Sequence, residues 1–437
     1  MKKVSKKTTK KTVAKKSLPP SYRTQAIHGD FQTRSWDFAY HLVPPMTSST
    51  SFRLESLERG AQGFSSYGET LDPQQDPIFI YDRLQEPTTK MLEENLAHLE
   101  KGECAMSFAS GKGAISSVFM LLLRSGHKVV AHRTLYGCTF SLLDKWLPNF
   151  DISHVLIDVN EASTLKKHLQ DPSTRIVYFE SMSNPLLEIA DIEMIVKAVK
   201  KANQNRTEDN KIFVVVDNTF ATPWALRPKE WGVDFVIESL TKNLSGFGTE
   251  MGGAVIADKK YEPTLRLARK DFGAIIHPYS AWHILVYGLS TQALRFEQQQ
   301  KNAIQVAEFL SKCPQVEMII YPGLKKFKQT VLAKKYLQSP EGQFSPGTMI
   351  CFRIKGDEQA CRKFVNHIAT NSYSITLAVS LGLNKTLIEV PGLMTHSAIS
   401  LEKQAEGGLD PKDIRLSIGL EHANDIIEDL KKSLKVL

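Results

Sequence analysis

The sequence lacks several features that would each define a class of protein. Its five cysteines are scattered among 437 residues and form no Cys-x-x-Cys pair. This excludes a disulfide framework or a zinc site built on such pairs and indicates reduced thiols. No apolar run approaches the roughly 20 residues that cross a bilayer. The first residues lack the apolar core of a secretory signal, so we expect a cytoplasmic protein with no membrane segment.

Well-known catalytic signatures are also missing. The chain contains no Gly-x-Ser-x-Gly, His-Glu-x-x-His, EF-hand or dinucleotide-binding pattern, and we expect no metal. The small-residue turn at Ser110-Gly111-Lys112-Gly113 is not a P-loop. It lacks the first glycine at the required spacing, and no Ser or Thr follows Lys112. Such a turn before a helix can still hold an anion on its free backbone N–H groups.

Acidic residues are absent from the first 16 positions. The eight lysines there account for the whole formal charge of +8, so the rest of the chain is near neutrality. This composition predicts a disordered Lys-rich tail over residues 1–24. The tail could be an arm for an acidic partner or a solvated extension. No aromatic residue is present among the lysines to stack on bases, which argues against nucleic acid and leaves the role of the tail open.

Apolar runs separated by helical patterns dominate the remainder. Ile212–Val216 and Phe235–Ile237 are short, continuous and β-branched, as is typical of strands buried in a parallel sheet. The same strand–helix rhythm recurs along the chain and predicts an α/β fold. We expect loops over the polar stretches 60–77 and 401–413.

Polar residues follow those two runs. Asp217 ends the first, and Ser239, Thr241 and Lys242 follow the second. Because ligands of open α/β sheets lie beyond the carboxyl ends of the strands, this acid and this amine are expected to face one crevice. A lysine and an acid placed in this way can hold a pyridine cofactor between them.

These residues also carry a resemblance. Asp217-Asn218-Thr219, Thr222-Pro223 and Ser239-Leu240-Thr241-Lys242 stand in the order found in the Cys/Met-metabolism family of pyridoxal-phosphate (PLP) enzymes, which the chain resembles beyond residue 25. The resemblance implies PLP as cofactor and fold type I. That fold has a large domain with a mostly parallel seven-stranded sheet and a smaller C-terminal α/β domain. The implied limits are an N-terminal arm at 25–85, a PLP-binding domain at 86–308 and a small domain at 309–437.

The resemblance also implies the cofactor ligands. Lys242 would hold PLP covalently, Asp217 the ring nitrogen, and Tyr136 the face of the ring. The remaining implied ligands surround the phosphate and the phenolic oxygen: Ser110, Gly111, Lys112, Ser239, Thr241 and Asn184, with Tyr81 and Arg83 reaching the cofactor phosphate of a neighbouring subunit. Lys112 stands where the family usually has Met, and Glu86 where it has Asn.

Substrate contacts are implied in the same way. Arg415 would grip the α-carboxylate, with Ser380 and Asn184 beside it. Lys242, Tyr136 and Cys138 would be the catalytic residues, with Tyr136 moving protons at the γ-substituent. Methionine γ-lyases carry a cysteine at the position of Cys138, whereas most of their relatives have a small residue there.

The implied function is a PLP-dependent carbon–sulfur lyase that acts on a small amino acid, with methionine γ-elimination favoured. Cystathionine γ-synthase, cystathionine γ-lyase and O-acetylhomoserine sulfhydrylase remain alternatives. Gly246-Phe247-Gly248-Thr249, where relatives often have Gly-His-x-Asp, leaves the subtype open. A non-catalytic family member acting as a binding protein is an alternative of another class. The resemblance further implies a homo-oligomer, a dimer of dimers whose active sites are shared across a dimer.

Overall fold

A computed structural model describes residues 20–29, 41–69, 77–397 and 399–437 of the chain. Most of the predicted Lys-rich tail therefore lies outside the described residues. The prediction that the disordered tail extends to residue 24 is wrong. A helix begins at Tyr22, whose buried hydroxyl donates a hydrogen bond to Gln292 at 3.1 Å, so residues 22–24 are part of the folded structure.

Two sheets organise the fold. The strands, in chain order, are β1 (Cys104–Phe108), β2 (Lys128–His132), β3 (Ser153–Ile157), β4 (Thr174–Glu180), β5 (Phe213–Asp217), β6 (Phe235–Glu238), β7 (Gly253–Ala257), β8 (Val316–Ile320), β9 (Met349–Ile354), β10 (Ile375–Leu377), β11 (Thr386–Glu389) and β12 (Ile414–Ser417).

Helices surround both sheets. In chain order they are α1 (Tyr22–His28), α2 (Leu57–Ser65), α3 (Pro87–Leu99), α4 (Gly111–Leu122), α5 (Gly137–Ser141), α6 (Ala162–Leu169), α7 (Ile192–Asn203), α8 (Thr222–Ala225), α9 (Glu262–Phe272), α10 (Pro278–His283), α11 (Ser290–Leu310), α12 (Thr330–Tyr336), α13 (Glu358–Asn371), α14 (Leu401–Glu406) and α15 (Ala423–Leu434).

The large sheet has seven strands in the order β1-β7-β6-β5-β4-β2-β3. All neighbouring strands are parallel except β7, which is antiparallel to β1 and to β6. The side chains of the central strands are buried on both faces because helices cover both sides, as a parallel sheet requires. The predicted mostly parallel seven-stranded sheet is confirmed, and the two predicted strands are shifted by only one residue at their ends.

Strand register sets the position of the site. Asp217 at the end of β5 lies opposite Glu180 of β4 and Ile237 of β6. The carboxyl ends of these three strands therefore meet at one edge, and the segments that follow them project into the same space.

The second sheet has five strands in the order β10-β11-β12-β9-β8, which confirms a smaller C-terminal α/β unit. Strand β11 lies between β10 and β12 and was not predicted. The domain limits at residues 86–308 and 309–437 stay predictions, since the two sheets are compatible with more than one boundary.

Both predicted loops contain helices. Helix α2 occupies the start of the stretch at 60–77, because Ser56 caps it by accepting a hydrogen bond from Arg59 N at 3.1 Å. Helix α14 occupies the start of 401–413 and is capped in the same way by Ser400. Short capped helices escape a search for apolar periodicity because one or two turns present few apolar residues.

Glu86 has a structural role at the start of α3. Its carboxylate accepts hydrogen bonds from the backbone N–H groups of Thr88, at 2.8 Å, and Thr89. The substitution of Glu for the family's Asn thus preserves the cap of this helix. Among the described residues, none of the helices is long and apolar enough to cross a membrane. Within the same ranges, no group of three or more His, Cys, Asp or Glu residues is placed to hold a metal ion.

Candidate active site

A cavity of about 530 Å³ opens at the carboxyl ends of β4, β5 and β6. Segments from both sheets form its walls. Its lining residues are Ser110, Gly111, Lys112, Ile115, Tyr136, Cys138, Glu180, Met182, Asn184, Asp217, Thr219, Phe220, Ser239, Thr241, Lys242, Met251, Val379, Ser380, Leu381, Thr395 and Arg415.

Asp217 forms the base of the cavity. Its Oδ1 accepts a hydrogen bond from Thr219 N at 3.0 Å, and Tyr178 Oη lies 3.4 Å from its Oδ2. Burial raises the pKa of Asp217, while the hydrogen bonds from Thr219 oppose that shift. A cationic ring nitrogen placed against Asp217 would keep it ionised, since an opposite charge favours the charged form.

Lys242 enters the cavity from the turn after β6. Its Nζ donates a hydrogen bond to Ser380 Oγ at 3.0 Å. Burial, followed by the nearby Arg415 guanidinium, lowers the pKa of Lys242 to about 8. At pH 7 roughly a tenth of an amine with this pKa is the neutral nucleophile that a carbonyl cofactor requires, a far larger fraction than for an ordinary lysine.

The start of α4 forms the third side of the site. Ser110 caps the helix by accepting a hydrogen bond from Gly113 N at 3.0 Å. A Cβ atom at Gly111 would lie only 2.9 Å from Ser239 Cβ, so only glycine allows this close approach. Backbone N–H groups at the amino end of α4 remain free to bind an anion such as a phosphate.

We use the name strand-end floor for seven residues of this cavity: Ser110, Gly111, Lys112, Asp217, Ser239, Thr241 and Lys242. Thr241 fixes part of it, because its Oγ1 donates to Gly252 O at 3.1 Å and accepts from Gly252 N at 3.0 Å. The floor thus presents an acid, an amine and an anion-binding turn to one cavity.

Tyr136 and Asn184 are joined by one carboxylate. Glu180 Oε1 accepts a hydrogen bond from Tyr136 N at 2.6 Å, and its Oε2 accepts one from Asn184 N at 2.8 Å. Burial and the adjacent Asp217 raise the pKa of Glu180 to about 8, against the effect of these two N–H groups. Burial and a hydrogen bond with Cys138 raise the pKa of the Tyr136 phenol.

Arg415 comes from the second sheet. Its Nη1 donates to Asn184 Oδ1 at 3.0 Å, and its Nη2 donates to Ser380 O at 2.6 Å and contacts Glu389 Oε1 at 3.0 Å. Ser380, Glu389 and Arg415 form what we call the C-terminal wall. Ser380 adopts a left-handed backbone with φ of 87°, an unfavourable conformation for a residue with a side chain that here aims its carbonyl at Arg415.

The wall keeps unused hydrogen-bonding capacity. Among the described residues, buried Arg415 Nε and Glu389 Oε2 have no hydrogen-bond partner. Burial lowers the pKa of Arg415, while the Glu389 carboxylate favours its charged form. The guanidinium is therefore held in place with a free donor, as a site for a substrate carboxylate requires.

The residues present fit PLP. The acid, the amine and the free N–H groups at the amino end of α4 match the ring nitrogen, the aldehyde and the phosphate of that cofactor. They are also arranged around one cavity rather than dispersed. The chemistry of this donor set therefore agrees with the cofactor that the resemblance implied.

The structure brings together twelve of the fourteen site residues that the sequence predicted. Lining the cavity are Ser110, Gly111, Lys112, Tyr136, Cys138, Asn184, Asp217, Ser239, Thr241, Lys242, Ser380 and Arg415, of which Ser380 and Arg415 come from the second sheet. Tyr81 and Arg83 do not line it. Arg83 Nη1 instead donates to Lys270 O at 2.8 Å, and Tyr81 is 40% exposed.

Two important carboxylates were missed. Glu180 ends β4 as Asp217 ends β5, so the same strand-end rule could have found it. Glu389 ends β11, the strand that the sequence did not predict, and nothing near it in the chain signals its contact with Arg415. The apolar lining from Val379, Leu381 and Met251 was also missed, because apolar residues in loops resemble ordinary core.

Comparisons with known proteins agree with this geometry. The family described as "Cys/Met metabolism PLP-dependent enzyme" matches residues 23–435. The chain is 37% identical over 418 residues to L-methionine gamma-lyase of Pseudomonas putida, covering 95% of this chain and 98% of that protein. It is 31% identical to O-acetyl-L-homoserine sulfhydrylase of Leptospira meyeri, covering 96% and 98% of the two chains.

A solved structure is similar over the same extent. The putative O-acetylhomoserine (thiol)-lyase of Campylobacter jejuni has a TM-score of 0.84 and 32% identity, covering 95% of this chain and all of that one. That structure contains a pyridoxyl-lysine phosphate group. Taken with the cavity that joins an acid, an amine and an anion-binding turn, these matches show that the chain belongs to the Cys/Met metabolism family of PLP-dependent enzymes.

Proposed function

We propose that the protein cleaves L-methionine by γ-elimination and releases a thiol, 2-oxobutanoate and ammonia. The observation that carries this proposal is the convergence of Lys242, Asp217 and Arg415 on one cavity. Relatives named L-methionine gamma-lyase add support. Val379, Leu381 and other apolar side chains in the lining suit an uncharged thioether.

Different residues of the chain have different roles in the reaction. Arg415 binds the α-carboxylate through its free donor and so orients the bonds at Cα. When bound, PLP supplies an electron sink for the charge that develops at Cα. The Lys242 amine takes the proton from Cα and later one from Cβ, and its pKa of about 8 suits proton transfer in both directions.

Tyr136 acts at the other end of the substrate. Its raised pKa keeps the phenol protonated near neutral pH, so it can donate a proton to the departing sulfur. The hydrogen bond between Tyr136 N and Glu180 fixes the phenol-bearing segment against the strand ends. Cys138 lies beside the phenol and shares a hydrogen bond with it.

A direct assay tests the proposal. Purified protein loaded with PLP and mixed with L-methionine should release thiol and 2-oxobutanoate in equal amounts. The Lys242→Ala variant, prepared in the same way, should release neither. The absence of product from methionine, together with turnover of cystathionine or an O-acylhomoserine, would contradict this choice of substrate.

We also propose that the active protein is a dimer of dimers whose sites are shared across a dimer. The absence of Tyr81 and Arg83 from the cavity of their own subunit supports this assignment, as do the exposed Tyr279, Tyr287 and Leu294 on one helical segment. Mixing the inactive variants Arg83→Ala and Lys242→Ala should restore part of the activity, because a hybrid dimer regains one intact site. No recovery after subunit exchange would argue against shared sites.

A further inference from the structure

A chain of close contacts runs from Arg415 to the turn before α5. Arg415 Nη2 contacts Glu389 Oε1 at 3.0 Å, and Thr395 Oγ1 lies 3.0 Å from the same carboxylate oxygen. Thr395 Oγ1 also lies 3.1 Å from His396 Nδ1, and His396 Nε2 lies 3.1 Å from Leu135 O. We call Glu389, Thr395 and His396 the wall relay, because they join the C-terminal wall to the turn before α5.

The wall relay is one hydrogen short when Glu389 is ionised and His396 is neutral. A backbone carbonyl only accepts, so His396 Nε2 must carry the hydrogen in its contact with Leu135 O. The other nitrogen of a neutral imidazole, Nδ1, is then an acceptor. The Thr395 hydroxyl has a single hydrogen and stands between two acceptors, that nitrogen and the Glu389 carboxylate. Either Glu389 or His396 has to gain a proton before both contacts of the hydroxyl can be hydrogen bonds.

His396 is poorly suited to hold that proton. Its side chain is buried, and burial together with the Arg415 guanidinium lowers the pKa of His396 to about 4. An imidazolium at this position would be a second cation beside Arg415, and like charges disfavour the charged form. Glu389 is therefore the member of the relay that can gain the proton.

Glu389 is kept ionised by cations rather than by a full set of hydrogen bonds. It is 1% exposed, and its Oε2 has no hydrogen-bond partner among the described residues. Burial raises the pKa of Glu389, and the Arg415 guanidinium is the largest of the effects that oppose this shift. Charged or titratable groups face it from four elements: Arg415 on β12, Lys242 after β6, Tyr136 before α5 and, through Thr395, His396 after β11.

A substrate carboxylate changes this balance at Arg415. The Nε of Arg415 is buried and has no partner among the described residues, so it is a donor left for such a ligand. A second carboxylate on the same guanidinium brings like charges together, which disfavours the ionised form of Glu389. Once Glu389 is protonated, its O–H can donate to Thr395 Oγ1, and the Thr395 hydroxyl can donate to His396 Nδ1. One added proton thus completes every contact of the wall relay.

We propose that Glu389 takes up one proton from solvent when a substrate carboxylate binds Arg415, and that Thr395 and His396 stabilise the protonated form. Glu389 is then a positioning residue, because it acts on the substrate through Arg415. The inference goes beyond the proposed γ-elimination and rests only on that part of the proposed function which assigns the substrate carboxylate to Arg415.

A ligand that cannot react tests the proposal. The compound 4-(methylsulfanyl)butanoate has the skeleton and the carboxylate of methionine but no amine, so it cannot displace Lys242 from the cofactor. Its binding to the PLP-loaded enzyme is measured by calorimetry in phosphate and in Tris, whose ionisation heats differ. The difference between the two heats gives the number of protons taken up. The wild type should take up about 0.5 to 1 proton per site at its maximum between pH 6 and pH 8.

Matched variants assign that proton. Glu389→Gln should take up almost none, because its amide cannot be protonated but can donate to Thr395 as the protonated acid would. Thr395→Val should reduce the uptake by about half, and Thr395→Ser should restore it. Glu103→Gln, at an exposed carboxylate outside the cavity lining, should keep the wild-type uptake. Wild-type uptake near zero, or uptake that persists in Glu389→Gln, would overturn the proposal. Equal uptake in the two Thr395 variants would overturn the role of the hydroxyl.

The affinity for the same ligand is an independent measurement. Where a proton is taken up, the dissociation constant should increase by about threefold to tenfold for each unit by which the pH increases. Glu389→Gln resembles the protonated state, so its dissociation constant should depend less on pH and be lower than that of the wild type above pH 8. The same pH dependence in both proteins would contradict the proposal.

Failure of the proposed function gives a different result. If methionine releases no 2-oxobutanoate, the γ-elimination is wrong, while the unreactive ligand still decides whether Glu389 takes up a proton. Arg415→Lys should weaken the binding of this ligand by about 100-fold. Equal binding by the wild type and Arg415→Lys would place the carboxylate elsewhere and overturn the inference.

Discussion

The strand-end floor and the C-terminal wall serve the same cavity in different ways. The floor holds Asp217 and Lys242 at the ends of neighbouring parallel strands of the large sheet. The wall brings Arg415 from the second sheet, where Glu389 pairs with it. The floor is thus suited to the cofactor and the wall to the substrate. Cofactor binding and substrate selection should therefore be separable by mutation, and the following predictions test that separation.

The largest effect is expected in the floor. Lys242→Ala removes the amine that holds the cofactor and moves protons, so kcat should fall by at least about 10³-fold. The visible absorbance of the lysine-linked cofactor should disappear as well. Retention of both the absorbance and the activity would assign the nucleophile to another amine, and Lys112→Met would then be the variant to compare.

A smaller effect of another kind is expected in the wall. Arg415→Lys keeps the charge but removes the planar fork, so KM for the amino acid should rise by about 100-fold. The cofactor absorbance should match that of the wild type because no floor residue has changed. Loss of the cofactor from this variant would show that the wall and the floor are not separable.

The acidity of the floor lysine predicts a pH dependence. The pKa of Lys242 is lowered to about 8. Below that value, the neutral fraction of the amine increases about tenfold for each unit by which the pH increases. The rate at which the apo-protein captures PLP should therefore rise from pH 6 to pH 8 and then level off. Stopped-flow absorbance measures this rate, with Lys242→Ala as the blank. A rate independent of pH would contradict the neutral amine as nucleophile.

The smallest effect concerns the carboxylate that joins Tyr136 to Asn184. Glu180→Gln leaves one of these two backbone N–H groups without its acceptor, which costs about 1–2 kcal/mol. We expect a roughly tenfold loss in kcat/KM and a lower unfolding temperature. Glu103→Gln, at an exposed carboxylate outside the cavity lining, is the control and should have a much smaller effect on kcat/KM. An unaffected Glu180→Gln enzyme would mean that neither segment depends on this carboxylate.

Much of the floor could be predicted from the sequence because its parts are local. A short apolar run indicates a buried strand. The residue that follows the strand lies at the carboxyl-end edge of the sheet, where ligands bind. Asp217, Ser239, Thr241 and Lys242 were found in this way, and the capping of α4 by Ser110 depends on residues only three apart. The seven-stranded sheet followed from the family resemblance, and the structure confirms it.

The wall was determined by tertiary structure. Arg415 and Asn184 are separated by 231 positions and meet only because the second sheet packs at the mouth of the first. The contact of Glu389 with Arg415 depends on strand β11, whose pairing with β12 sets residue opposite residue. Pairing between residues that are far apart in the sequence leaves no periodic signal in a single chain. The amino-acid sequence therefore specified which chemistry the protein carries, whereas packing between the two sheets decided which side chains meet the substrate.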